Sequence, residues 1–245
     1  MTPRRIADLE TLKRSRPVLF LDDGGVMSDN ALRAPQYVKL IGEYLTWRLG
    51  GTPELWGAAN RVAHPSAWQA IVARLPEFAS HRDFYRTYGL DWMKRMCAAA
   101  NVALPPEDEA FALFCDIARH CTERVESAAP GAAEAVLALK RDGYAMYTAS
   151  GTTSWELRGI VTKMRTAEAF TELYGPDITD RVKYGPHFYE AIFAHAGIDP
   201  AHALVIESDE ECCVWALETG ANAVWVDDKG RGDALSLAEV AQQLI

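Results

Sequence analysis

A short apolar run near the amino terminus constrains the fold of this 245-residue chain more than any other feature. Residues 17–21 are all apolar, and they are followed at once by Asp22, Asp23, Gly24 and Gly25. A continuous run of this kind is typical of a strand that is buried on both faces, as in a parallel sheet. The acidic residues and glycines end such a strand in a tight loop. We therefore expect Asp22 to lie at the carboxyl end of the first core strand.

The remainder of the chain shows two kinds of pattern. From Leu32 to about Val125, aromatic and aliphatic residues recur at helical spacing, whereas beyond Pro130 the patterns of helix and strand alternate. The expected elements there are helix 132–141, strand 144–148, a helix from Thr153, helix 187–196, strand 203–206, helix 211–218, strand 223–226 and helix 234–245. Because parallel strands need crossover connections, this order predicts an α/β fold with a Rossmann-like, doubly wound parallel sheet. We expect residues 1–30 and 126–245 to form this core, and residues 31–125 to form an inserted helical cap.

Composition argues against several classes of function. The net charge of −9 opposes non-specific binding to nucleic acid. No run approaches the ~18 apolar residues of a membrane helix, and no secretory signal follows the charged segment 1–16. The five cysteines lack paired spacing, which suggests neither a disulfide framework nor a zinc site. We expect a cytoplasmic protein without nucleic-acid or membrane partners; segment 1–16 is compatible with a short amphipathic helix or a disordered arm, and the oligomeric state stays open.

Polar residues follow three of the expected strands. They are Asp22, Ser150 and the cluster Glu207, Ser208 and Asp209. In an open parallel sheet, ligands bind beyond the carboxyl ends of the strands, so these side chains should converge on one site. Ser150 also precedes an expected helix, where a serine caps the helix and the exposed N–H groups attract anions. The sequence thus indicates one site that could bind an anionic small molecule.

These segments together resemble the motifs of the haloacid dehalogenase superfamily of hydrolases and phosphatases. Residues 18–30 resemble its first motif, residues 143–151 its second, residues 183–189 its lysine motif, and residues 203–210 with Gly220 its acidic fourth motif. The resemblance covers most of residues 17–228. The inserted helices stand where that family carries a helical cap, which would exclude water and select the substrate.

The resemblance implies a covalent mechanism, in which Asp22 attacks phosphorus or carbon and water hydrolyses the aspartyl intermediate. It favours a magnesium-dependent phosphatase that acts on a small phosphorylated substrate through an aspartyl-phosphate. The residues it implies are Asp22, Ser150 and Lys183 as catalytic groups, Asp23, Gly24, Gly25 and Gly151 as phosphate-binding groups, and Asp22, Gly24, Glu207 and Asp209 as magnesium ligands.

Two positions depart from the family pattern. Gly24 stands where the phosphatases carry a second aspartate as general acid and base, and glycine cannot transfer a proton. Ser208 stands where they carry a metal-ligating aspartate, and a hydroxyl is a poor ligand for a hard cation. Asp23, Asp29 or His64 could replace the missing acid. Asp23 could also compete with Asp22 as the nucleophile, but aligning Asp23 with the nucleophile of the first motif would put Val26 where the family has glycine.

Two alternative functions therefore stay open. One is a metal-independent dehalogenase, whose fourth motif in this superfamily also carries a serine and whose leaving group needs no acid. The first motif of these dehalogenases, however, differs from this chain at the position of Gly24. The other is a catalytically silent protein that binds a ligand. Aromatic residues at helical spacing more often pack inside a protein than contact a substrate. The candidate substrate contacts in the cap are Trp47, Arg48, Trp56, His64, Trp68, Arg82, Tyr85 and Trp92.

Overall fold

The computed structural model describes the backbone of residues 9–245 and the side chains from residue 11 onward. Of the amino-terminal segment 1–16, residues 1–8 therefore lie outside the described residues, and a helix begins at Leu9. The elements in chain order are α1 (Leu9–Ser15), β1 (Val18–Leu21), α2 (Asn30–Leu49), α3 (Pro53–Val72), α4 (His81–Ala100), α5 (Glu107–Thr122), α6 (Ala132–Arg141), β2 (Met146–Ala149), α7 (Ser154–Lys163), β3 (Glu172–Tyr174), α8 (Pro176–Thr179), α9 (His187–Ala196), β4 (Ala203–Glu207), α10 (Glu210–Glu218), β5 (Asn222–Trp225) and α11 (Leu237–Leu244).

The five strands form one parallel sheet in the order β3-β2-β1-β4-β5. This order confirms the predicted doubly wound α/β fold. The chain runs outward from β1 to β2 and β3 on one side, and it then returns to build β4 and β5 on the other side. The switch point consequently lies between β1 and β4, where ligands bind in sheets of this type.

Strand β1 is buried on both faces, as its apolar run predicts. Leu19 and Leu21 pack in a cluster that includes residues of α6 and α11, whereas Phe20 packs in the opposite cluster against Phe188 and Phe193 of α9. None of these three β1 side chains is exposed. Burial of each contributes about 1.5–3 kcal/mol, so the strand is held firmly in its register and the residue that follows it has a fixed position.

The described chain divides into two compact units, one formed by the residues up to Asn30 with Ser127–Ile245 and the other by Ala31–Glu126. The second unit holds α2 to α5 around its own apolar core. Gly89 allows α4 and α5 to approach closely, because a Cβ there would lie 2.4 Å from the ring of Phe114. Two candidate cap residues, Trp56 and Trp92, belong to this core, whereas Trp47 is 73% exposed.

The structure differs from the sequence-based expectation at several elements. Strand β2 begins at Met146 rather than at residue 144, β5 covers Asn222–Trp225 rather than 223–226, and α8 was not expected. Strand β3 was not expected; it has only three residues at the sheet edge. The last helix begins at Leu237 rather than at residue 234, because Ser236 caps it by accepting a hydrogen bond from the N–H of Glu239. Among the described helices, none is both long and apolar enough to cross a membrane.

Candidate active site

Asp22 follows β1 directly and stands at the switch point of the sheet. Its backbone N–H donates to the carbonyl of Ile206 at 2.9 Å, which continues the pairing of β1 with β4 by one residue. Its side chain is largely buried, and its Oδ1 accepts a hydrogen bond from Lys183 Nζ at 3.0 Å. Within the described part of the chain, no donor reaches Oδ2. One carboxylate oxygen is therefore held and the other is available for attack.

Lys183 joins three strand ends through its ammonium group. Besides Asp22, Nζ contacts Glu207 Oε1 at 2.7 Å and the carbonyl of Ala149 at 3.3 Å. Burial of the ammonium opposes its charge, but the attraction of Asp22 and Glu207 outweighs this effect and raises the pKa of Lys183 above its ordinary value. Lys183 is consequently a fixed cation beside Asp22.

Glu207, the last residue of β4, is completely buried behind Lys183. Its Oε1 accepts both Lys183 Nζ and the hydroxyl of Tyr189, each at 2.7 Å, while its buried Oε2 has no partner. Burial, together with repulsion from Asp22, raises the pKa of Glu207 to about 8, although Lys183 and Tyr189 act in the opposite direction. At neutral pH Glu207 is thus mostly protonated, and Asp22 and Lys183 balance each other's charge.

The raised pKa of Glu207 makes the stability of the protein depend on pH. A folded-state pKa of about 8 against an ordinary value of 4.5 gives a stabilisation that is complete below about pH 4.5 and is lost as the pH rises through 8. Between these limits the loss reaches about 1.4 kcal/mol per pH unit. We expect the free energy of unfolding of wild type to fall between pH 6 and 8, and that of Glu207→Gln to fall less. Denaturant titrations at several pH values test this, with exposed Glu218→Gln as control; parallel profiles for all three proteins would contradict it.

The loop that follows Asp22 folds back on itself and packs against the end of β4. The side chain of Asp23 is buried, and it accepts hydrogen bonds from Ser28 Oγ at 2.7 Å and Thr152 Oγ1 at 3.5 Å. Gly25 has a φ of +83°, and a Cβ there would lie 2.6 Å from Ser208 Cβ. Both glycine's freedom at positive φ and its lack of a side chain are therefore needed. Both side-chain oxygens of Asp23 are therefore engaged in holding this loop and the loop after β2.

The loop between β2 and α7 brings Ser150 and Gly151 beside Lys183. Ser150 is buried, and its Oγ accepts the N–H of Thr152 at 3.2 Å. A Cβ at Gly151 would lie 3.6 Å from Lys183 Cδ. The backbone N–H groups of Gly24 and Gly151 make no hydrogen bond within the described residues. Together with Lys183, they offer unpaired donors for an anion near the start of α7.

The candidate magnesium ligands are engaged in other contacts. Asp22 and Glu207 share Lys183, the carbonyl of Gly24 accepts Ser208 Oγ at 2.7 Å, and Asp209 caps α10 by accepting the N–H of Glu211 at 2.8 Å. Across residues 9–245, no three histidine, cysteine or acidic side chains group so as to hold a metal ion. A lysine ammonium stands between the two buried carboxylates, so this donor set does not fit a magnesium ion.

The structure also assigns contacts to residues for which the sequence predicted no role. No role was predicted for Tyr189, the last residue of the lysine motif, but its hydroxyl donates a hydrogen bond to Glu207. Asp177 follows β3 and binds Ser154 in the loop after β2. An aspartate after a strand is a signal that could have pointed to Asp177, but β3 itself was not recognised. The proposed substitute acid His64 lies exposed on α3 of the second unit.

Comparison with known proteins places the fold. No family model and no curated protein matches the sequence. Among solved structures, the defluorinating L-2-haloacid dehalogenase Rha0230 is 16% identical, with 93% of this chain and 94% of that chain covered and a TM-score of 0.64. A predicted phosphoglycolate phosphatase from Haemophilus somnus is 16% identical, with 93% and 97% covered and a TM-score of 0.62.

A third structure, the HAD-hydrolase YfnB from Bacillus subtilis bound to magnesium, is 13% identical, with 88% and 91% covered and a TM-score of 0.65. The names of the three proteins give different activities, so the similarity to them shows the fold and does not identify the reaction. The matches cover 88% to 93% of this chain, which agrees with its parallel α/β sheet. The chain therefore has the fold of the haloacid dehalogenase superfamily.

Proposed function

We propose that this protein is a metal-independent hydrolase of the dehalogenase type, in which Asp22 displaces halide from a carbon atom of a small haloacid. The observation that carries the proposal is the contact of Lys183 Nζ with both Asp22 and Glu207. It supplies from the protein itself a fixed cation beside the nucleophile, a charge that a metal-dependent enzyme takes from its metal ion. The charge of the nucleophile is thus balanced by the protein itself.

The proposed reaction has two steps. In the first, Asp22 Oδ2 forms a bond to the carbon that bears the halogen, and halide leaves with the electron pair of the broken bond. In the second, water attacks the Cγ of the resulting ester; the hydroxy acid is released, Asp22 is restored, and one proton passes to solvent. The free Oδ2 beside a lysine-bound Oδ1 suits this role, because the cation fixes the carboxylate without covering the attacking oxygen.

The leaving group distinguishes the two candidate chemistries. A halide departs as a stable anion and needs no proton, whereas the alkoxide of a phosphate ester is a poor leaving group without a general acid. Gly24 supplies no acid at the position that the phosphatases use. The motifs favour the magnesium-dependent phosphatase, whereas the contacts of the candidate metal ligands favour the dehalogenase-type reaction, which we therefore place first.

The anionic end of the substrate has donors near Asp22. The unpaired N–H groups of Gly24 and Gly151, together with Lys183, could hold a carboxylate, and they could equally hold a phosphate. This shared anion site is the observation that keeps phosphate-ester hydrolysis as the second candidate. Anion binding alone therefore does not decide between the two reactions.

Two substrate panels separate the candidates. Purified protein is incubated with short 2-haloacids and with phosphate monoesters, each with added magnesium and with a chelator, and released halide and phosphate are measured. We expect halide release that the chelator leaves unchanged. Phosphate release that depends on magnesium would instead establish the phosphatase. Absence of both products would favour a silent protein that binds its ligand without turnover.

A further inference from the structure

We propose that Asp177 is a positioning residue, which holds the loop of Ser150 and Gly151 in register with Lys183. The inference rests on the proposed function, because it concerns how that site positions the hydrogen-bond donors that bind the substrate. Asp177 lies in the single turn α8, directly after β3, and it belongs to none of the motifs that the sequence suggested. Its role therefore has to be argued from its contacts.

Both carboxylate oxygens of Asp177 bind the same residue of the neighbouring loop. Oδ1 accepts the backbone N–H of Ser154 at 2.7 Å, and Oδ2 accepts Ser154 Oγ at 2.5 Å. Ser154 is the first residue of α7, so one of the helix's open N–H groups is satisfied by a side chain from another element. A two-point contact of this kind fixes orientation as well as distance.

The backbone at Gly175 brings the two loops into contact. A Cβ at this position would lie 2.4 Å from the carbonyl oxygen of Thr152 and 2.5 Å from the N–H nitrogen of Ser154. These are backbone atoms, which cannot move aside without moving the loop. The glycine thus permits an approach that any other residue would prevent, and Asp177 holds the loop at that approach.

The same short segment carries Lys183. Lys183 follows Asp177 by six residues in the sequence. Its Nζ contacts the carbonyl of Ala149, the residue that precedes Ser150. The loop 150–153 is therefore held at its start through Lys183 and at its end through Asp177. Loss of the second contact leaves Lys183 on Asp22 but frees the loop that presents Ser150 and Gly151.

A shift of about 1 Å in such a loop can cost a reaction about a hundredfold, because the substrate is no longer aligned with its nucleophile. We expect Asp177→Ala to lower the single-turnover rate constant for halide release by about 10- to 100-fold at saturating enzyme. Asp177→Asn should recover most of the rate, since its carbonyl oxygen can still accept the N–H of Ser154. A purely structural role would lower the amplitude, through loss of folded enzyme, and leave the rate constant unchanged.

The matched control is Asp199→Ala, which removes another aspartate that caps a turn, here by accepting the N–H of Ala201 at 3.0 Å. It should leave the rate constant at the wild-type value. An unchanged rate constant in Asp177→Ala, or equal loss in Asp177→Asn, would overturn the inference. Hydrogen exchange of the Ser154 amide is read in parallel: faster exchange in Asp177→Ala supports the hold on the loop even if wild type turns over neither substrate panel, a result that would reject the proposed function alone.

Discussion

Asp22→Asn should abolish halide release, with a fall in turnover of roughly a millionfold, the scale seen when a covalent nucleophile is removed. Asparagine keeps the size of the side chain and can still accept a hydrogen bond from Lys183 through its carbonyl oxygen. It lacks the second anionic oxygen that attacks carbon. The variant should therefore fold and bind substrate but form no ester.

Mass spectrometry of the intact protein makes this expectation specific. Wild type quenched with acid during turnover should carry the mass of the substrate's carboxyalkyl group on Asp22, and Asp22→Asn should carry none. Single turnover in water labelled with ¹⁸O should place the label in Asp22 before it reaches product, because water attacks the ester at Cγ. Label found directly in the product of the first turnover would instead indicate attack by water on carbon.

Asp209→Asn provides the matched control for this experiment. Asparagine caps helices as well as aspartate does, so α10 should be preserved. If Asp209 were a ligand of an essential metal, its neutralisation would lower activity sharply. We expect turnover close to wild type, in agreement with its contact to the N–H of Glu211.

The local patterns that predict the core strands are strong because burial decides them. The run at residues 18–21 is apolar on both faces, and the structure buries Leu19, Phe20 and Leu21 completely. Helices α6 and α9 likewise occupy the ranges expected from their periodicity and their flanking glycines. Strand β3 escaped recognition since three residues at an edge, one of them the exposed Glu172, carry no periodic pattern.

Pairings across the sheet could not be predicted in the same way. The sequence predicts that Asp22, Ser150 and Glu207 lie at strand ends, but it does not predict which of them accept hydrogen bonds from the same donor. That Lys183 contacts Glu207, and that Ser208 binds the carbonyl of Gly24, depends on side-chain directions and on the strand order. The proposal of a metal-independent reaction rests on these contacts, which motif spacing alone does not predict.

Lys183→Met should cost the protein both activity and stability. Methionine keeps much of the length of the side chain and removes its charge, which leaves Asp22 and the buried Glu207 without their shared cation. Breaking a buried charged contact by removing one partner costs about 3–5 kcal/mol. We expect the free energy of unfolding to fall by about 3 kcal/mol, as measured by denaturant titration. Halide release should fall by about a thousandfold, since the nucleophile loses the group that fixes it.

The double variant Lys183→Met with Glu207→Gln separates the two effects. If Lys183 and Glu207 interact as the 2.7 Å contact indicates, their stability losses should not add above pH 8, where Glu207 is ionised and the amide of glutamine, unlike the carboxylate, needs no cation. Part of the stability should therefore return relative to Lys183→Met, while turnover stays low, because Asp22 still lacks its partner. Additive losses of stability would mean that the two side chains are independent. In that case Glu207 would be free to serve another cation, and the argument against a metal at this site would lose its main support.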